Sequence, residues 1–203
     1  MTLLVAFEGD TDLPIVRKLA RDARLTIQRE IDCQGKDRLD AQLSGYNNAA
    51  RGSPWLVLRD LDRDAECAPE WLRRHAFSAG RWMCFRLAVR ALESWLLADA
   101  DAMATFLEVN ARDIPPEPDR LADPTRALVD LARRSRRPSI RLQMTPRPGD
   151  HVKVGPLYEA KLIEFGEQHW NLRRACSRSP SLQAARAALR ELGKKWRTHL
   201  RGR

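Results

Sequence analysis

The chain has 203 residues, of which 43% are hydrophobic and 31% charged, and its formal net charge is +9. This length allows one domain of ordinary size, or a core of roughly 100 residues with an extension. No apolar run approaches the roughly 20 residues that cross a bilayer, which excludes a transmembrane protein. The start, MTLLVAFEGD, lacks the basic region and the cleavage site of a signal peptide, so we predict a cytoplasmic protein without a membrane partner.

Charge is unevenly distributed along the chain. Residues 1–125 carry 17 basic and 21 acidic side chains, whereas residues 126–203 carry 19 basic and 6 acidic ones. An acidic part beside a strongly basic part suits a site that holds cations next to a surface that attracts phosphates. The alternative is that the composition is simply rich in arginine and that the charged residues only form solvent-exposed helix faces.

Short apolar segments alternate with helical patterns over the first 90 residues or so. The predicted strands are Leu3–Phe7, Thr26–Cys33, Pro54–Leu58 and Trp82–Leu87, and the predicted helices follow Thr11, span Leu39–Ala50 and lie near Pro69–Ala76. The order β-α-β-α-β-α-β predicts a parallel four-stranded sheet flanked by helices, with right-handed crossovers.

The remainder of the chain is predicted to be helical. It has Pro-rich interruptions, and its last helix, about Leu182–Leu200, carries an apolar stripe. The predicted organisation is therefore an α/β core over residues 1–98 and a basic, helical C-terminal part over residues 99–203, packed on the core. The last helix either closes the core or pairs with a second protomer, so a homodimer is left open.

Two acidic clusters come directly after predicted buried strands. Glu8 follows the first strand, and Asp60, Asp62 and Asp64 follow the third. Because ligands collect beyond the carboxyl ends of parallel strands, we expect these carboxylates to lie near one another. Crowded carboxylates without histidine or cysteine favour Mg²⁺ or Mn²⁺. The alternative is that the acids only cap the helices that follow.

The spacing of these acids resembles a known family. Glu8-Gly9-x-x-Asp12 and Asp60-x-Asp62 are similar to the two signature motifs of the TOPRIM domain, and EGDTD resembles its OLD-like and DUF4276-like branch. The resemblance covers roughly residues 1–98. It implies a TOPRIM-like sheet and a two-metal phosphodiesterase site in which Glu8, Asp12, Asp60 and Asp62 share the metals and Asp64 reaches one through water.

Two further side chains are candidates for this site. Glu93 interrupts a helix that is apolar on nearly every side, so it is either a further metal ligand, as the resemblance implies, or the partner of Arg90. A basic group would stabilise charge on a phosphate, and Lys153 in a loop rich in Gly and Pro is the first choice. Lys161 and Arg59 are the competing choices.

These residues predict a metal-dependent nuclease that hydrolyses phosphodiester bonds of DNA or RNA. Arginines at the end of one helical segment would contact phosphates; they are Arg133, Arg134, Arg136 and Arg137. A phosphatase of the HAD type is disfavoured, because its Asp-x-Asp usually follows the first strand.

The alternative is a non-catalytic or regulated nucleic-acid-binding subunit of a complex with an ATPase. The resemblance implies work beside an ABC-type ATPase, in defence against phage and other mobile DNA. No GxxxxGK[ST] phosphate-binding loop occurs in the chain, so such an ATPase would be a separate protein.

Overall fold

A four-stranded, all-parallel sheet organises the fold, in the order β2-β1-β3-β4. The strands are β1 (Thr2–Phe7), β2 (Thr26–Asp32), β3 (Trp55–Asp60) and β4 (Met83–Ala88). The structure is a computed structural model and describes residues 1–202. The predicted α/β class, with a parallel four-stranded sheet flanked by helices, is confirmed.

The helices follow the strands in the predicted alternation. They are α1 (Leu13–Asp22), α2 (Lys36–Ala49), α3 (Ala68–Arg74), α4 (Leu92–Leu97), α5 (Ala100–Leu107), α6 (Pro124–Arg133), α7 (Pro138–Met144), α8 (Tyr158–Gln168), α9 (Leu172–Cys176) and α10 (Pro180–Arg201). Short 3₁₀ turns occur at Asp10–Asp12, Ala111–Asp113 and Pro118–Arg120.

By internal contacts the chain forms two compact units, which are Met1–Val89 together with the chain from Ser181 onward, and Arg90–Pro180. The last helix thus groups with the N-terminal residues. The predicted domain boundary at residue 98 stays a prediction.

Burial explains the different sequences of the strands. The central strands β1 and β3 are almost entirely buried, and each contains a continuous apolar run, LLVAF in β1 and WLVL in β3, as expected for strands covered on both faces. The edge strand β2 is largely exposed and reads TIQREID, and its charged side chains oppose pairing with another chain. On this strand Glu30 accepts two 2.8 Å hydrogen bonds from Arg17 of α1.

One face of the sheet is covered by α2 and α3. Leu39, Leu43 and Tyr46 of α2 and Trp71 of α3 pack with alternate residues of the strands, including Phe85. The ring centroids of Trp71 and Phe85 lie 5.3 Å apart. Because the loop after β3 leads into α3, this packing also anchors the loop that carries Asp62 and Asp64.

Within the first unit, the C-terminal helix α10 packs against the end of α1. Trp196 meets Trp82 edge to face, with ring centroids 4.9 Å apart. Gly193 suits this close approach, since a Cβ there would lie only 3.0 Å from the Ala23 carbonyl oxygen. Arg186 makes two hydrogen bonds of 2.9 and 2.8 Å to Asp22, which tie the helix to the same place.

The unit Arg90–Pro180 is helical and has polar bonds in its interior. The Asp99 carboxylate, 1% exposed, accepts hydrogen bonds from Arg174 and from the Asn171 amide. The Trp170 indole N–H donates to the Trp95 carbonyl at 2.9 Å. Within residues 1–202, none of the helices in either unit is both long enough and apolar enough to cross a membrane.

Candidate active site at the carboxyl ends of β1 and β3

The strand order places the first predicted acids side by side. The chain runs from β1 to β2 on one side and then returns to β3 on the other side of β1, so the order reverses between β1 and β3. Crevices at such reversal points are where open α/β sheets bind ligands. Glu8 directly follows β1 and Asp60 ends β3, and the Glu8 Oε1 atom accepts a 2.8 Å hydrogen bond from the Asp60 backbone amide.

The Glu8 carboxyl is in an environment that disfavours its charge. Burial raises its pKa from 4.5 to about 7, and the negative charges of Asp62 and Asp40 add to this effect. The Asp60 amide and the Arg59 guanidinium oppose it without cancelling it. A carboxyl of this kind is a site for a proton or for a cation at neutral pH.

The Asp12 carboxylate is committed to the local backbone. It is 5% exposed, and its Oδ2 atom accepts hydrogen bonds from the amides of Glu8 at 2.9 Å and Gly9 at 3.3 Å. It therefore holds the turn that leads from β1 into α1. Its predicted role as a metal ligand stays a prediction.

Lys36 is a member of the cluster that the sequence analysis missed. Its Nζ atom lies 2.9 Å from Asp62 Oδ2 and 3.2 Å from Asp64 Oδ1. The hydrogen bond to Asp62 contributes most to raising the pKa of Lys36, which keeps the ammonium group charged. It is the first residue of α2, after the short turn that follows β2, so the chain beyond a third strand contributes to the same edge of the sheet.

Arg59 is the buried cation that holds two carboxylates of the cluster in place. Its side chain is 3% exposed, and it donates to Asp40 at 2.7 and 2.8 Å and to Asp64 at 2.6 Å. Its guanidinium carbon also lies 4.9 Å from the centre of the Trp71 ring. Burial alone would raise the pKa of Asp64, but the hydrogen bonds from Arg59 and Lys36 hold it below its usual value. Asp64 is thus neutralised by two cationic side chains.

The loops at this edge contain unusual backbone conformations. Gln34, Gly35 and Asp62 all have positive φ angles, of 55°, 114° and 50°. Left-handed conformations are costly for residues other than glycine, and they often occur where a loop must place side chains for function. Here they allow sharp turns directly after β2 and β3.

The carboxylates at this edge of the sheet are suitable ligands for a divalent cation, although their side chains are not arranged as a complete coordination shell. Glu8, Asp60 and Asp62 supply the carboxylate oxygens that Mg²⁺ prefers. Among residues 1–202, however, no three His, Cys, Asp or Glu side chains are grouped closely enough to hold a metal ion. The Lys36 ammonium group instead lies against two of the predicted ligands.

Glu93 and Lys153 belong to the other compact unit, Arg90–Pro180. Glu93 lies in the first turn of α4, and its Oε1 atom accepts hydrogen bonds from Thr125 at 3.0 Å and Tyr158 at 3.1 Å. These hydroxyl groups are partners that neither sequence hypothesis anticipated. Lys153 is exposed between α7 and α8, whereas its competitor Lys161 pairs with Glu164 at 2.6 Å.

The four predicted nucleic-acid-binding arginines are exposed at the end of α6 and just beyond it. Acidic side chains accompany three of them: Arg133 pairs with Asp130 at 2.9 Å, Arg134 with Asp113 at 3.9 Å, and Arg137 with Glu108 at 3.6 Å. Arg136 lines a shallow surface cavity together with Asp101 and Glu108. This surface is less positive than the sequence alone indicates, and its predicted role stays a prediction.

Comparison with known proteins places the chain in no group. No family model, no curated protein and no solved structure matches it.

Proposed function

We propose that the chain is a metal-dependent nuclease of the TOPRIM type, with its centre at the carboxyl ends of β1 and β3. The observation that carries this proposal is the meeting of Glu8 and Asp60 where the strand order reverses, with a Glu8 carboxyl whose pKa is raised to about 7. A half-buried acid at that position, next to further acids, is poorly explained by helix capping. The side chain that accepts hydrogen bonds from the backbone amides of this turn is that of Asp12.

The residues of the site have separate roles in this proposal. Glu8, Asp60 and Asp62 would hold Mg²⁺ or Mn²⁺, which would lower the pKa of a bound water and neutralise charge on the phosphate. Arg59 fixes Asp64 and Asp40, and so positions the loop after β3. Lys36 lies beside Asp62 with its side chain partly exposed, and in this proposal it contacts a phosphate oxygen.

Asp60→Asn should abolish metal-dependent stabilisation and cleavage together. The hydrogen bond to Glu8 uses the Asp60 backbone amide, so the variant should keep its fold. In the wild type, metal at a hundredfold excess over its dissociation constant should add about 2.7 kcal/mol to the free energy of unfolding. Thermal unfolding in EDTA, Mg²⁺ and Mn²⁺, beside cleavage assays on DNA and RNA, measures both effects.

Asp37→Asn is the matched control, because Asp37 is an exposed acid in the first turn of α2, next to Lys36. It should respond to metal as the wild type does. Metal-dependent stabilisation that survives in Asp60→Asn would remove Asp60 from the proposed site.

Lys36→Met should tighten metal binding and slow cleavage. The Lys36 ammonium group competes with a cation for Asp62, and such partly exposed pairs are worth about 0.5–1 kcal/mol, so the metal dissociation constant should fall roughly two- to fivefold. Cleavage at saturating metal should nevertheless decrease, because a positive charge near the phosphate is lost. Metal titration by thermal unfolding, followed by single-turnover cleavage, separates the two effects, and unchanged values in both would contradict the assignment.

The ion pairs of Lys36 also favour a second candidate function. Asp62 and Asp64 are neutralised within the chain, as expected for a regulated or non-catalytic nucleic-acid-binding subunit that acts with a separate ATPase. This candidate predicts metal-dependent stabilisation without cleavage by the isolated chain. Cleavage by the purified chain alone would rule it out.

A further inference from the structure

A basic cleft is present on the first unit, lined by one face of α10 and by the turn between α1 and β2. Its volume is about 580 Å³. The lining side chains include five basic and two acidic ones, and the basic ones are Arg24, Arg186, Arg190, Lys194 and Arg197. Arg24 is distant from the other basic residues along the chain, so the cleft is created only by the folding of the chain.

Two arginines at the base of the cleft are held in place by hydrogen bonds. Arg186 is held by Asp22, and Arg197 donates to the Ala23 carbonyl at 3.2 Å, beyond the last turn of α1. A cation at the end of a helix is also stabilised by the helix dipole. These two arginines therefore fix the position of α10 and shape the cleft.

The outer wall of the cleft carries the charge that a ligand would meet. Arg24, Arg190 and Lys194 are exposed. Within residues 1–202, no ion pair involves Arg24 or Lys194, and the pair between Arg190 and Asp22 is long at 3.9 Å. Of the two acidic side chains in the lining, Asp22 is bound to Arg186, and Glu191 lies 3.8 Å from Lys195. The surface left for a ligand is strongly positive.

We infer that this cleft binds the phosphate backbone of the nucleic acid, and the inference rests on the proposed function. The basic residues of α10 recur every three or four positions from Arg186 to Arg197, a stripe about 16 Å long at 1.5 Å per residue. At about 3.4 Å of rise per nucleotide, the stripe is as long as about five base-pair steps of a duplex measured along its axis. Arginine and lysine in a row, without a base-reading pattern, are typical of backbone contacts.

An acidic protein is a poorer fit to the same cleft. Protein interfaces usually bury aromatic or large aliphatic anchors at their centre. The apolar residues that line this cleft are only Ala23 and Ala187. The attraction is therefore almost purely electrostatic, which is the character of non-specific nucleic-acid binding.

The test is binding of fluorescent 20-nucleotide single-stranded and duplex DNA to the full chain in EDTA, between 50 and 200 mM salt. The double variant Arg190→Gln/Lys194→Gln removes two exposed charges of the cleft. The slope of log K against log salt should become shallower by about 1.4–1.8, and the dissociation constant at the lowest salt should rise about tenfold or more. Arg51→Gln/Arg201→Gln is the matched control, since it removes two exposed charges of the same unit outside the cleft.

Equal slopes for the two double variants would overturn the inference, and so would a wild-type chain that binds neither DNA. Poly-glutamate binding as tightly as DNA at the same salt would overturn the assignment to nucleic acid. Because EDTA prevents metal-dependent cleavage, a failure here is distinct from a failure of the proposed nuclease centre. The latter is read from metal-dependent unfolding and from Asp60→Asn.

Discussion

Glu8→Gln should stabilise the metal-free protein above neutral pH and remove its stabilisation by Mg²⁺ or Mn²⁺. The pKa of Glu8 is about 7 in the folded chain and about 4.5 when the group is solvated. A carboxyl with a raised pKa contributes stability that is fully present below pH 4.5 and is lost as the pH rises through 7. Glutamine keeps the acceptor for the Asp60 amide and carries no charge.

The expected gain at pH 8 is about 1–3 kcal/mol in the free energy of unfolding, after allowance for screening by solvent. Chemical denaturation between pH 4 and pH 9 in EDTA measures it. The difference between variant and wild type should vanish near pH 4 and grow through pH 7. A constant difference across this range would show that the charge of Glu8 is not the cause.

Glu30→Gln is a control with the same chemical change and the opposite expected sign. The hydrogen bonds from Arg17 lower the pKa of Glu30, so its charged form is favoured in the folded state. The substitution should therefore cost stability at pH 8, by less than about 1 kcal/mol because the pair is exposed. Its response to metal should equal that of the wild type.

Arg59→Met should lower the free energy of unfolding by about 2–4 kcal/mol. The Arg59 side chain is almost completely buried, and its removal leaves Asp40 and Asp64 without their main partner. Breaking a buried ion pair from one side usually costs about 3–5 kcal/mol. The two carboxylates are about a third exposed and can be partly rehydrated, which places the expected cost toward the lower end.

Arg17→Met is the matched control for this substitution. It removes an arginine that also makes two hydrogen bonds to a carboxylate, but on the surface, where such pairs are worth at most about 1 kcal/mol. Urea denaturation at pH 7 should separate the two variants clearly. Equal costs would mean that burial of Arg59 contributes little to the cluster.

Much of the fold could be predicted from the sequence because its signals are local. The apolar runs of β1, β3 and β4 and the helical periodicity between them predict a parallel sheet, and each observed strand overlaps the predicted one. The rule that parallel strands end at one edge of the sheet predicts that Glu8 and Asp60 lie together. The hydrogen bond between Glu8 and the Asp60 amide is consistent with that expectation.

The sequence alone determined the alternating α/β order, the acids that follow β1 and β3, and the basic character of the C-terminal third. The tertiary structure decided which charges neutralise which: Lys36 lies between Asp62 and Asp64, and Arg59 is buried against Asp40. It also decided that α10 meets the end of α1, which creates the basic cleft. Periodicity reports only which face of an element is apolar, whereas an ion pair depends on side chains brought together by packing between distant segments.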